Sequence, residues 1–317
     1  MARHLLKTRV LSPHMQGKLL CAMTKKLAVI QTTEAALHLS TFVDGRYFSI
    51  PGLRTLTDAL RIRRAELQTL VDGPKGVEIF GKLMPPISAE SEIWGAGVTY
   101  LRSRDARKEE SGVPDVYQRV YEADRPELFF KSNARRTVGT LGEIGIRADS
   151  NESVPEPEVA IVVNIFQEII GLTICNDVTA RSIEGENPLY LSQAKIYSGS
   201  TSIGPMITPM WEIEEVNDLG ISAHIQRDTE MVWQAQTSLG ALHRTFEDLV
   251  SYLFRCQVFP DGVILSTGTG IIPPLGISLQ DGDVVTISVD KVGVLSNRVV
   301  GIPLDIHETT LKSGRNS

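Results

Sequence analysis

Across residues 26–50 apolar positions alternate loosely with polar ones, and Asp44-Gly45 interrupts the alternation. Period-two patterning broken by a turn pair predicts strands. Leu56, Leu60, Leu67 and Leu70 then recur at helical spacing, which predicts one amphipathic helix over residues 55–71 that Asp72-Gly73-Pro74 stops. Pro85-Pro86 follows, so residues 25–90 are expected to form a small N-terminal α/β domain. Beyond Trp94 the texture changes to short apolar runs between turns. Residues 159–165 read as a buried strand and 169–175 as its neighbour across Gln167-Glu168. Further strands are expected at 203–207, 221–226 and 284–289, the last preceded by Asp281-Gly282-Asp283. Two helix starts interrupt this body. One is Asn187-Pro188, an N-cap followed by proline at the first helical position. The other is Thr245, with Asp248 completing a capping box and Leu249, Val250, Leu253 and Phe254 on the apolar face. The expected fold class is therefore α+β and strand-dominated, with a main body over residues 91–310, unlike a doubly wound parallel sheet.

Composition adds exclusions. The 317 residues are 42% hydrophobic and 22% charged, with 32 Lys+Arg against 38 Asp+Glu and a net charge of −6. That balance lacks the basic footprint of a nucleic-acid binder. No apolar run reaches the ~18 residues of a membrane span, so no membrane partner is expected. Cys21, Cys175 and Cys256 are far apart and contain no CxxC pair, which argues against a zinc site or a disulfide framework and fits a reducing cytoplasm. Residues 1–24 carry Arg3, Lys7, Arg9 and Lys18 without an acid and are expected to be a disordered extension, a targeting segment being the alternative. Residues 101–125 are crowded with charge and broken by Gly112 and Pro114. They read as a solvated helix and loop or as a lid.

The chemistry starts at Pro155-Glu156-Pro157-Glu158, immediately before the apolar run at 159–163. Residues two apart on a strand share a face, so Glu156 and Glu158 would stand side by side. Two such carboxylates repel, and a divalent cation would relieve them. Asp177 lies far enough along for the chain to turn and return beside them. Three carboxylates with water suit Mg²⁺, Mn²⁺ or Ca²⁺. The competing reading is two exposed glutamates at a strand entrance. In Ser266-Thr-Gly-Thr-Gly270, hydroxyls and glycine amides could cradle a substrate carboxylate, with Gly268 allowing close approach; the competing reading is a plain strand-ending turn.

The stretch from Gly171 through Asp177 and Lys195 to Pro205, the Val154-Pro-Glu-Pro-Glu-Val segment, and the pairing of Ser266-Thr-Gly-Thr-Gly270 with Leu279-Gln-Asp-Gly-Asp-Val-Val resemble the fumarylacetoacetate hydrolase superfamily over about residues 92–303. Glu-Gly-Glu-Asn-Pro-Leu-Tyr-Leu and Gly97-Val-Thr-Tyr100 most resemble its 2-keto-3-deoxy sugar acid dehydratases. The resemblance implies a mixed β-roll, a homodimer or homotetramer, and Mg²⁺ held by Glu156, Glu158 and Asp177. It also implies that Lys195 reaches the same site and that Thr269 contacts substrate.

C–C bond hydrolases of this superfamily carry a His and a Glu shortly after a Tyr corresponding to Tyr100. Here those positions hold Ser103 and Ala106, and no histidine lies between His38 and His224. Dehydration of a 2-oxo-3-deoxy acid needs less. The metal chelates the C1 carboxylate and C2 ketone, which acidifies C3 and offsets the charge of the enolate. A base then takes a C3 proton and an acid assists loss of the C4 hydroxyl. Lys195, Glu127 and Lys131 are the candidates for these transfers, and Arg102 and Arg104 for binding distal hydroxyls or the carboxylate. The expectation is thus a Mg²⁺-dependent lyase that converts a 2-keto-3-deoxy-pentonate to 2,5-dioxopentanoate. The alternatives are a hydrolase or decarboxylase of a 2,4-dioxo acid, and a non-catalytic metal-binding scaffold.

Overall fold

The computed structural model describes residues 24–102 and 114–305. The chain opens with β1 (Lys26–Gln31), β2 (Leu37–Val43) and β3 (Arg46–Ser49), then α1 (Leu56–Leu60) and α2 (Arg64–Asp72), then β4 (Glu78–Ile79) and β5 (Lys82–Met84). The main body follows with β6 (Glu92–Gly97), α3 (Pro114–Glu122), β7 (Glu127–Asn133), β8 (Thr137–Val138), β9 (Glu143–Arg147) and β10 (Ser153–Val154). Next come β11 (Pro157–Val163), β12 (Ile169–Asp177), β13 (Thr179–Ala180), α4 (Arg181–Glu186), α5 (Leu191–Lys195) and β14 (Thr201–Pro209). The last elements are β15 (Gly220–Arg227), β16 (Glu230–Ser238), α6 (Phe246–Leu253), β17 (Val263–Thr269), β18 (Val284–Val289) and β19 (Gly293–Ile302).

Ten strands line up as β4-β3-β2-β1-β14-β12-β11-β17-β6-β7, with β5 and β8 attached to β1 and β14; a second sheet runs β16-β15-β18-β19-β9. Both sheets are mixed, since β17 pairs parallel with β6 and β19 parallel with β9. The strand-dominated α+β expectation holds. The strands of the small N-terminal α/β domain expected over residues 25–90 join the main sheet through Leu27↔Ile207 of β1 and β14.

Two cores flank the large sheet. Val159, Ile161 and Val163 of β11 join the core that packs on the second sheet and α6, while Ala160 and Val162 join Leu27, Leu60 and Leu67 on the other side. A strand covered on both faces needs apolar residues at every position, which is why residues 159–163 read as an unbroken run. No helix among the described residues is long and apolar enough to cross a membrane.

The single helix expected over 55–71 is two helices. The turn between β11 and β12 intervenes: Ile165 N–H donates to Leu60 O at 3.0 Å, Asn164 Nδ2 to Ile62 O at 3.0 Å, and Arg64 N–H to Glu168 Oε2 at 2.8 Å. Backbone groups that would have continued one helix are satisfied by that turn instead. At α6, Thr245 Oγ1 accepts from Asp248 N–H at 3.1 Å, but the Asp248 carboxylate pairs with Arg244 at 2.9 Å, so half of the expected capping box forms. Asn187 caps a 3-10 turn, Pro188–Tyr190, and α5 follows it.

Candidate metal centre and active site

The register of β11 on β12 builds the centre. Pro157 pairs with Asn176 and Glu158 with Cys175. Asp177 N–H donates to Glu156 O at 3.0 Å, which sets Asp177 opposite Glu156. Residues opposite each other, and residues two apart, share a face. Glu156, Glu158 and Asp177 therefore converge: one oxygen of each lies within 4.8 Å of the others, and all three residues are buried.

Each carboxylate is held from outside the cluster. Glu158 Oε2 accepts from Ser266 Oγ at 2.5 Å and from Gly268 N–H at 2.9 Å. Thr179 Oγ1 donates to Glu156 Oε1 at 2.8 Å. Asp177 lies between two lysines, Lys131 at 2.6 Å from Oδ1 and Lys195 at 2.9 Å from Oδ2. Lys195 Nζ also donates to Glu156 Oε2 at 3.0 Å and Thr179 Oγ1 at 2.8 Å. Burial, then the charges of Asp177 and Glu156, push the Glu158 carboxyl from an ordinary 4.5 up to about 8. Burial lowers the Lys131 ammonium, which the Asp177 charge opposes.

The donor set fits a hard divalent cation. It consists of carboxylate oxygens alone, in a buried position where burial and then mutual repulsion raise Glu158, and no thiol or imidazole belongs to it.

The carboxylates and Lys195 open into a pocket also lined by Gly97, Glu127, Phe129, Glu184, Gly268 and Thr269. Glu127 begins β7 opposite Gly97, and a Cβ at Gly97 would meet its Oε2 at 2.1 Å. Glycine there leaves room for the carboxylate. Glu184, on α4, is buried and lines the pocket although sequence reasoning did not single it out. Its signal was available: it sits in the first helical turns after the β12 strand that supplies Asp177.

Other expected groups lie elsewhere. The hydroxyls of the 266–270 segment turn inward: Ser266 binds Glu158, Thr267 Oγ1 donates to Val159 O at 2.7 Å, and Thr269 Oγ1 donates to Ile271 O at 2.9 Å. A carboxylate cradle of hydroxyls is not what that strand end presents, although Thr269 and Gly268 do line the pocket. Lys131 has a fully buried side chain behind Asp177 and does not line the pocket. Arg102 is exposed and does not line it either. Arg104 and residues 1–23 lie outside the described residues.

Gly268 is pinned by geometry. Its φ is +90°, and a Cβ would lie 1.9 Å from Thr99 Oγ1 and 2.9 Å from Ala96 O. The Thr99 hydroxyl cannot yield readily, because it donates to Thr267 O at 2.6 Å. Gly268→Ala is expected to cost about 1–3 kcal/mol in backbone strain alone and to shift the amide that holds Glu158. A lower melting temperature and weaker divalent-cation binding by calorimetry would follow. Unchanged values of both would show that this amide is not needed. Beside it Val98, a β-branched residue at φ +53°, also lines the pocket, a strained conformation of the sort that accumulates at active sites.

Comparison with known proteins bears on this geometry. The fumarylacetoacetate (FAA) hydrolase C-terminal family matches residues 92–300. A probable 2-keto-3-deoxyxylonate dehydratase of Haloferax volcanii is 43% identical over 271 residues, 85% of this chain and 91% of that protein. A 2-dehydro-3-deoxy-D-arabinonate dehydratase of Saccharolobus solfataricus is 39% identical over 208 residues, 64% of this chain and 70% of that one. The solved structure of 2-keto-3-deoxy-D-arabinonate dehydratase complexed with magnesium and 2,5-dioxopentanoate superposes with a TM-score of 0.76 at 30% identity, covering 88% of this chain and 99% of the other.

Proposed function

Because the chain belongs to the fumarylacetoacetate hydrolase family, we propose that its pocket dehydrates a 2-keto-3-deoxy-pentonate to 2,5-dioxopentanoate, with Mg²⁺ held by Glu156, Glu158 and Asp177. Its kinship to named dehydratases makes it an enzyme of the lyase class. The observation that carries the reading is the buried three-carboxylate cluster with Lys195 bonded to two of its members. A structure of a 30% identical dehydratase with magnesium and 2,5-dioxopentanoate supports the choice of metal and product.

When bound, the cation would supply an electrophile for the carboxylate and keto oxygens of the substrate, acidifying C3. The chain's own groups then divide the proton transfers. Lys195 Nζ donates to Glu156 Oε2, Asp177 Oδ2 and Thr179 Oγ1, which hold its N–H groups at the cluster as proton donors. It would protonate the leaving C4 hydroxyl. Glu127, a half-buried carboxylate on the β7 wall, would take the C3 proton; the 5-hydroxy-2-oxopent-3-enoate left by loss of water becomes 2,5-dioxopentanoate once a C5 proton is removed, C3 is reprotonated and the resulting 4,5-enol tautomerises to the aldehyde. Phe129, whose ring lies 5.8 Å from Lys195 Nζ, covers the ammonium with an apolar face.

Incubation of the purified protein with Mg²⁺ and 2-keto-3-deoxy-pentonates is expected to yield 2,5-dioxopentanoate. EDTA should abolish the product and added Mg²⁺ restore it. Release of pyruvate from acylpyruvates, with no 2,5-dioxopentanoate from any pentonate, would replace this reading by C–C hydrolysis.

A further inference from the structure

Lys131 is an unusual residue for the interior. Its side chain has no exposed surface, and burial works against its charge. Regular pairing of β7 with β6 is broken at this residue: Trp94 pairs with Phe130 and Ile93 with Ser132, so Lys131 is the extra residue of a β-bulge. Bulges beside active sites re-aim a side chain that the pleat would otherwise direct elsewhere. Here the ammonium arrives behind Asp177, on the side away from the pocket.

Three oxygens surround Nζ: Asp177 Oδ1 at 2.6 Å as its ion-pair partner, and Val178 O at 3.3 Å and Lys195 O as hydrogen-bond acceptors. One ammonium thus touches a carboxylate of the proposed metal cluster and the main chain of the lysine that enters the same pocket. Ser200 Oγ also donates to Lys195 O, at 2.9 Å, so that carbonyl is held twice. Lys195 is the last residue of α5, a five-residue helix, and lacks the support of a long helix to fix its place.

We propose that Lys131 is a positioning residue that sets Asp177 and Lys195 relative to one another without touching substrate. Resting on the dehydratase reading, it assigns turnover a dependence on a group outside the pocket. A carboxylate deprived of the counter-charge on its Oδ1 side would be free to rotate about its bond to Lys195, and both groups would lose the alignment that proton transfer requires. Outer partners of metal ligands typically contribute about 10–100-fold to affinity or activity.

The test uses the full chain loaded with Mn²⁺ or Mg²⁺. Lys131→Met keeps the length of the side chain and removes the ammonium. It is expected to bind Mn²⁺ with an altered electron paramagnetic resonance spectrum. At saturating metal, kcat should fall about tenfold or more, with KM moving far less. Should this variant not fold, Lys131→Ala with added ethylamine or propylamine replaces it. The amines are expected to restore the wild-type Mn²⁺ spectrum and turnover to a degree that does not follow amine pKa. A wild-type spectrum and kcat in Lys131→Met overturn the proposal, as does a loss of melting temperature alone. Rescue that tracks amine pKa also overturns it, since Lys131 would then carry protons. If the wild-type protein dehydrates no pentonate yet the Mn²⁺ spectrum changes and recovers as described, the dehydratase reading fails and the positioning role stands.

Discussion

Glu158→Gln is expected to yield a folded protein that neither retains Mg²⁺ nor turns over substrate. Ser266 Oγ and Gly268 N–H both donate to Glu158 Oε2, so the glutamine carbonyl must occupy that position. Its NH₂ group then faces Glu156 and Asp177, presenting a donor where a cation needs an acceptor. The loss in kcat/KM should exceed about 10⁴-fold, the upper end of what a single positioned acid or base contributes. The fold should survive, because a neutral amide is easier to bury than a carboxylate. Stability supplies a second check with a definite sign. The Glu158 pKa is raised from 4.5 to about 8 in the folded metal-free protein. A carboxyl raised on folding penalises the native state increasingly as pH climbs between those values. Metal-free Glu158→Gln should therefore gain melting temperature relative to wild type as pH rises from about 4.5 to about 8. Full activity in this variant would remove the cluster from the account.

Lys195→Met is expected to retain the metal and lose turnover. The lysine is the cation that joins Glu156, Asp177 and Thr179 inside the pocket. Removing it deletes the proposed donor to the leaving hydroxyl, for which a loss of about 10²–10⁴ in kcat is the usual scale. Methionine retains most of the apolar stem, so packing against Phe129 changes little. Calorimetry should still show stoichiometric Mg²⁺ binding, because the carboxylate ligands remain. Turnover within about threefold of wild type would exclude Lys195 from the proton transfers. Loss of Mg²⁺ binding would mean that the lysine is needed to assemble the cluster itself.

Glu156, Glu158 and Asp177 were legible because their signals are local. Two glutamates at strand spacing precede an apolar run, and a turn and a returning apolar run lead to Asp177. The hairpin of β11 and β12 involves neighbours in the chain, so its register follows from the turn between them. The same locality made the Thr245 and Asn187 caps readable.

What escaped depends on partners far away in the chain. Ser266 looked like a substrate ligand, yet its hydroxyl is claimed by Glu158, 108 residues earlier. Lys131 shares a strand with Glu127 and looked like a pocket residue, but the bulge in its pairing with β6 carries it behind Asp177. Residues 55–71 have the periodicity of one helix, which the β11–β12 turn divides by taking its backbone hydrogen bonds. Side-chain spacing determined which residues share a face and which chemistry they could perform. Only the long-range pairing of strands decided which oxygen each donor meets, because a hydrogen bond depends on tenths of an ångström between groups that sequence proximity does not bring together.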